Sequence, residues 1–190
     1  MSNDDLRKQF SEGAQAWLRE NHESNLPDTV GQEMIEELEA WVSSGDIEVE
    51  RCNEAYFSLI EDKYPISVHR IDWSKVSKHR EMLFRFSFTE PIHSDVLRER
   101  LADFRGTLSL WLKGLGVLPD DVVVFVGDGT EIATKMTVRV FLDCFPIILE
   151  QPQHGYLLPV DGRWCLNYTM ESELFLGESS NASATGWIEQ

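Results

Sequence analysis

Basic residues are scarce in this chain: 17 lysines and arginines stand against 33 aspartates and glutamates, a formal net charge of −16. A field of that sign repels phosphate backbones and anionic bilayers, which argues against direct binding to nucleic acid or membrane, and it attracts basic proteins. Cysteine is also sparse. Cys52, Cys144 and Cys165 form an odd set without C-x-x-C spacing, which points away from a disulfide framework and from a zinc site. Free thiols fit a reducing, cytoplasmic setting. No window approaches the roughly eighteen consecutive apolar residues of a membrane span, and the opening stretch MSNDDLRKQF carries Asp4 and Asp5 and no apolar run of signal length. The expectation is a soluble protein that is not secreted through a cleaved signal.

Motifs for cofactors are missing too. Gly127-Asp128-Gly129 lacks the lysine of a phosphate-binding loop and the third glycine of a dinucleotide fingerprint, and it precedes a strand where it should open a helix. The histidines at 22, 69, 79, 93 and 154 never fall four apart on a helix, and neither H-E-x-x-H nor a serine elbow occurs. The sequence therefore calls for no catalytic residue, cofactor or metal ligand.

What is present reads as an α+β fold. Leu97, Leu101, Phe104, Leu108, Trp111 and Leu115 recur at alternating steps of four and three, which places them on one face of a helix over about 94–116. Ser94 caps its start, and Gly114 or Gly116 ends it. A strand is predicted on either side, at 82–88 and 121–126, so this helix lies across a mainly antiparallel sheet. Residues 3–22 and, after a break at Glu23 to Asp28, about 29–43 form an amphipathic helical pair within 1–45, closed at Gly45. Met136 to Leu142 alternates and is predicted as a strand returning from a hairpin tip at 127–135. Tyr156–Val160 and Arg163–Thr169 make a second hairpin around Asp161-Gly162, read as a type I′ turn. Residues 46–81 are open between strand and helix. One domain is expected over 1–177, with sheet and central helix in 82–177, followed by a mobile tail at 178–190 carrying Trp187 and Ile188.

Three weaker chemical patterns accompany this. Asp143 and Cys144 with His154 offer a nucleophile and base for a small hydrolase, although no cysteine-hydrolase signature surrounds them. Asp121, Asp128, Glu131, Asp143 and Glu150 lie near strand ends, where carboxylates gather cations for a metal-dependent enzyme. Lys75, Lys78, His79 and Arg80 make a local basic cluster, without glycines or an aromatic platform beside it.

The stronger pattern is the placement of charge. Residues 1–50 carry −10, residues 51–142 carry zero and residues 143–190 carry −6. Glu33, Glu36, Glu37, Asp46, Glu48 and Glu50 form the densest acidic run, with no lysine or arginine four residues on to compensate it. Three tryptophans, Trp73, Trp164 and Trp187, have no place on a predicted core face and are candidate anchors for a partner. The expected function is non-catalytic binding of a basic protein through that acidic run, most concretely as an immunity protein for a bacterial toxin domain such as a nuclease. An acidic mimic of nucleic acid, occupying another protein's DNA site, is a third possibility.

Overall fold

Val123, Val124, Phe125 and Val126 are all buried, and successive side chains of a strand point to opposite sides, so the strand they form must be covered on both faces. The computed structural model shows how. It describes residues 3–22, 28–52, 54–68, 70–83, 94–128, 131–149 and 154–179. In chain order these form α1 (Asn3–His22), α2 (Asp28–Ser44), β1 (Ile47–Arg51), α3 (Glu54–Lys63), β2 (Ile66–Ser67), β3 (Arg70–Ile71), a 3₁₀ turn (Trp73–Lys75) and β4 (His79–Leu83). Then follow α4 (Ser94–Gly114), β5 (Val122–Gly127), β6 (Ile132–Thr137), α5 (Val138–Leu149), β7 (Gly155–Pro159), β8 (Trp164–Tyr168) and β9 (Glu173–Glu178).

Seven strands form one antiparallel sheet in the order β1-β6-β5-β7-β8-β9-β4, and β2 pairs with β3 in a small separate hairpin. The fold is α+β, with its helices laid on an antiparallel sheet. On one face Leu6 and Phe10 of α1, Leu38 and Val42 of α2, Leu108 and Leu112 of α4, and Phe141, Phe145 and Ile148 of α5 meet the strand residues Ile47, Val49, Val123, Leu157, Trp164 and Leu166. On the other face Ile60 of α3, Tyr64 just after it, Ile71 and Trp73 close over Val124, Val126, Tyr156, Leu158 and Cys165. Each fully buried Val, Leu, Ile or Phe contributes roughly 1.5–3 kcal/mol relative to exposure, which is why both faces have to be sealed.

The long helix α4 ends as its glycine predicts. Gly116 takes φ +71°, and the amides of Gly116 and Val117 donate to the carbonyls of Lys113 and Leu112 at 2.9 and 3.1 Å. This is a Schellman close, with Val117 and Leu112 both buried. Gly45 likewise turns out of α2 at φ +85°. The two N-terminal helices pack as a pair, and Gln15 Nε2 of α1 donates to Glu39 Oε1 of α2 at 2.7 Å.

Several expectations need correction. Met136–Leu142 is not a strand: β6 stops at Thr137 and α5 begins at Val138. Alternating Met136, Val138, Val140 and Leu142 suit a strand, but Val138, Phe141, Phe145 and Ile148 also recur at three and four, and that longer stripe wins. Thr137 caps the helix, its Oγ1 accepting from the Val140 amide at 3.3 Å. Pro146 lies inside α5. The second hairpin forms, but only Gly162 of the Asp161-Gly162 pair takes positive φ. Gly162 donates its amide to the Pro159 carbonyl at 2.9 Å, so the turn closes over Val160 and Asp161 with Gly162 as the left-handed residue after it. Trp73 and Trp164 are buried at 7% and 1% exposure and are core residues, not surface anchors. Residues 46–81 use both readings in succession, a strand and then a helix. The predicted strand beyond Leu83 lies outside the described residues, as do Trp187, Ile188 and nearly all of the predicted tail, residues 180–190.

Candidate functional site: the α2–α4–α5 groove and the acidic edge

The N-terminal acidic residues gather at one edge of the sheet because α1 and α2 both pack against β1, the strand at that edge. Within this edge the six acidic residues divide between two faces. Ile47 and Val49 of β1 face α1 and α2, so Glu48 and Glu50 project from the opposite side. There Glu50 accepts a short hydrogen bond from the Tyr56 hydroxyl of α3. Glu48 stands directly across from Lys135 of β6, with 3.1 Å between charges. Asp46, in the turn before β1, accepts from Ser44 Oγ at 2.6 Å. Burial first, and the Glu50 carboxylate second, push the Tyr56 phenol up to about 12.

Glu33, Glu36 and Glu37 lie instead on the helical side, exposed on α2. Glu33 pairs with Arg98 of α4 at 2.6 Å, an exposed pair. The run that lacks partners within its own helix thus finds some of them 65 and 87 residues away.

Glu33 and Glu37 form one wall of a groove of about 730 Å³ that opens between α2, α4 and α5. The second wall is α4, where Arg98, Ala102, Arg105 and Ser109 recur at helical spacing along one stripe; Arg139, Leu142, Asp143 and Pro146 of α5 complete it. Its floor is apolar, with Leu101, Leu142 and Phe145 continuing into the core. Charges alternate around the rim. Arg105 meets Asp143 at 3.0 Å, Arg139 meets Asp120, and Arg98 serves Glu33 most closely, with Asp95 and Glu37 adding longer-range attraction that raises its pKa further. No periodicity marks such a groove in the sequence; the one legible sign is the stripe Arg98, Ala102, Arg105 and Ser109 running beside the apolar face of α4.

The residues of the enzymatic alternative do not assemble into a reacting set. Cys144 faces inward from α5, with Sγ 3.9 Å from Met136 Sδ and 3.8 Å from the Phe141 carbonyl. Burial, the largest influence, and neighbouring Asp143 push the thiol pKa far up, the reverse of what a thiolate nucleophile needs. Asp143 turns outward to Arg105. His154 is buried at the entrance to β7, with no hydrogen-bond partner at Nδ1 among the described residues. Of the carboxylates proposed for a cation, Asp121 pairs with Arg163 at 3.6 Å and Glu131 with Arg51 at 3.3 Å. Glu150 lies outside the described residues. Among the described residues no three His, Cys, Asp or Glu side chains converge to hold a metal.

The basic cluster is likewise absorbed in part by its surroundings. Lys75 pairs with Asp72 at 2.8 Å, and the Arg80 guanidinium reaches the last turn of α4, 3.9 Å from where a Cβ on Gly114 would stand, where a helix end favours a cation. No helix among the described residues is long and apolar enough to cross a membrane. No family model, curated protein or solved structure matches this chain.

Proposed function

We propose that the protein is a non-catalytic binder of a basic partner protein, and most concretely an immunity protein that neutralises a toxin domain. The observation that carries this reading is the segregation of charge: residues 1–50, about a quarter of the chain, carry net charge −10, and their described part packs at a single edge of the sheet, through α1, α2 and β1. Charges concentrated on one side give a directional field that steers a cationic partner toward that side, whereas the same number spread evenly would only add solubility. Neutral residues 51–142 supply much of the scaffold. The acidic edge supplies the attraction.

The experiment is capture on the immobilised protein from lysate of its own cells, with washes at low and then high salt. The expected result is one basic protein that survives the high-salt wash, and whose activity disappears when it is purified and mixed with this protein. Retention of many basic proteins that all leave with salt is the result that refutes the reading. If the retained partner is a DNA-binding protein and free duplex DNA displaces it, the acidic edge acts as a nucleic-acid mimic instead.

A further inference from the structure

We infer that the α2–α4–α5 groove is the docking slot for a basic amphipathic helix of the partner, an inference that rests on the reading of the protein as an acidic binder. The argument begins with dimensions. From Arg98 to Ser109 the groove follows twelve residues of α4, about 16 Å over their rises of about 1.5 Å each, the length over which a helix presents anchors at i, i+3 or i+4, and i+7.

Charge then selects the sign of the occupant. At the α5 end the rim is balanced, since Arg105 faces Asp143 and Arg139 faces Asp120 one to one. At the α2 end two carboxylates, Glu33 and Glu37, line the groove beside one guanidinium, Arg98, which pairs with Glu33, and Glu37 has no ion pair of its own among the described residues. That end has a surplus of negative charge directly beside an apolar floor. A lysine or arginine next to a leucine-like side chain meets both features: its stem lies along the floor and its charged head reaches Glu37. The Glu33–Arg98 pair does not block entry, because both side chains are about half exposed, at 52% and 51%, and such pairs hold together by only about 0–1 kcal/mol. Polarity also sets direction. The positive N-terminal end of the incoming helix lies toward α2, where the carboxylate surplus complements its dipole.

The test uses an idealised leucine–lysine amphipathic helical peptide as probe, followed by amide NMR of the full chain, with a leucine–glutamate peptide of the same pattern as control. The expected result is saturable shifts at Ala102, Gly106 and Ser109 with the lysine peptide only. Ala102→Trp and, independently, Ser109→Trp fill the groove from exposed positions and should weaken binding by about tenfold or more, while their unchanged far-ultraviolet spectra confirm folding. Glu37→Gln should weaken it by a smaller factor. Equal binding of the glutamate peptide, wild-type affinity in both tryptophan variants, or shifts confined to Glu48 and Glu50 overturns the groove as the slot. The last of these leaves the acidic-binder reading standing, since a basic helix would still have bound at the acidic edge. Absence of any binding at low salt, together with failed capture of a basic partner, removes both.

Discussion

The indole N–H of Trp73 donates to Asn167 Oδ1 at 2.9 Å, joining the 3₁₀ turn to a central position of β8. Asn167 is 2% exposed and spends its amide protons on the Gly155 and Tyr168 carbonyls, at 3.0 and 3.3 Å. Trp73 in turn stacks on Phe175, with ring centroids 5.4 Å apart. One asparagine therefore satisfies groups from three segments. Asn167→Ala leaves a buried indole N–H and a backbone carbonyl unpaired at about 1–3 kcal/mol each, so a loss of about 3 kcal/mol is expected. Urea unfolding should show a lower midpoint with an unchanged slope; a shift under about 0.5 kcal/mol would show that water replaces the amide.

Gly155 and Phe125 make the second prediction. A Cβ on Gly155 would stand 2.5 Å from the Phe125 ring, which lies over the glycine from the neighbouring strand. Gly155→Ala should destabilise by about 1–3 kcal/mol, the usual cost of overpacking. The variant's melting temperature checks this, and Gly13→Ala, on exposed α1 with open space around it, should move it upward or not at all.

Buried thiols impose a pH limit. Burial raises the Cys144 and Cys165 thiols well above their ordinary range, and burial likewise raises the Tyr64 and Tyr156 phenols. A raised folded pKa contributes stability that is complete below the unfolded value and is lost as pH rises. Stability should therefore hold up to about pH 8.5, the unfolded thiol value, and then fall by about 1.4 kcal/mol per pH unit for each thiol. Unfolding midpoints measured between about pH 7.5 and about pH 9.5 decide the matter. A flat profile over that interval would mean that the thiols ionise in the folded chain.

Reversal of Glu33, Glu36 and Glu37 to lysine should slow association with a basic partner by about tenfold or more and flatten its salt dependence. Reversal of Asp46, Glu48 and Glu50, at the turn and on the other side of β1, should slow it far less. Both variants should fold, because the exposed ion pairs they break contribute about 0–1 kcal/mol each and the part-buried Tyr56–Glu50 hydrogen bond lost in the second adds about 1.5–3 kcal/mol. Stopped-flow association at several salt concentrations compares them. Equal effects from the two sets would mean that general charge, not the α2 face, steers the encounter.

Local chemistry made parts of this fold readable from the sequence. The apolar stripe of α4, its glycine close, the burial of Val123–Val126 and the β7–β8 hairpin all follow from residues a few positions apart. The β6–α5 boundary was harder, since Met136 to Leu142 satisfies both periods, and only the continuation of the stripe through Phe145 and Ile148 and the capping Thr137 distinguish them. Trp73 gave no core signal because its partners, Asn167 and Phe175, lie about a hundred residues on. For the same reason the acidic run looked uncompensated: Arg98 and Lys135 reach Glu33 and Glu48 only through tertiary packing.

Strand order also has a consequence for synthesis. β1 is made early but, among the described residues, pairs only with β6, Ile47 against Met136 and Arg51 against Ile132, so the acidic edge lacks that sheet partner until residues 132–136 have cleared the ribosome. α2 meets α5 later still. Nascent chains consequently carry the charge without the shape. They attract cations weakly and diffusely, and the walls of the groove come together only after translation is nearly done.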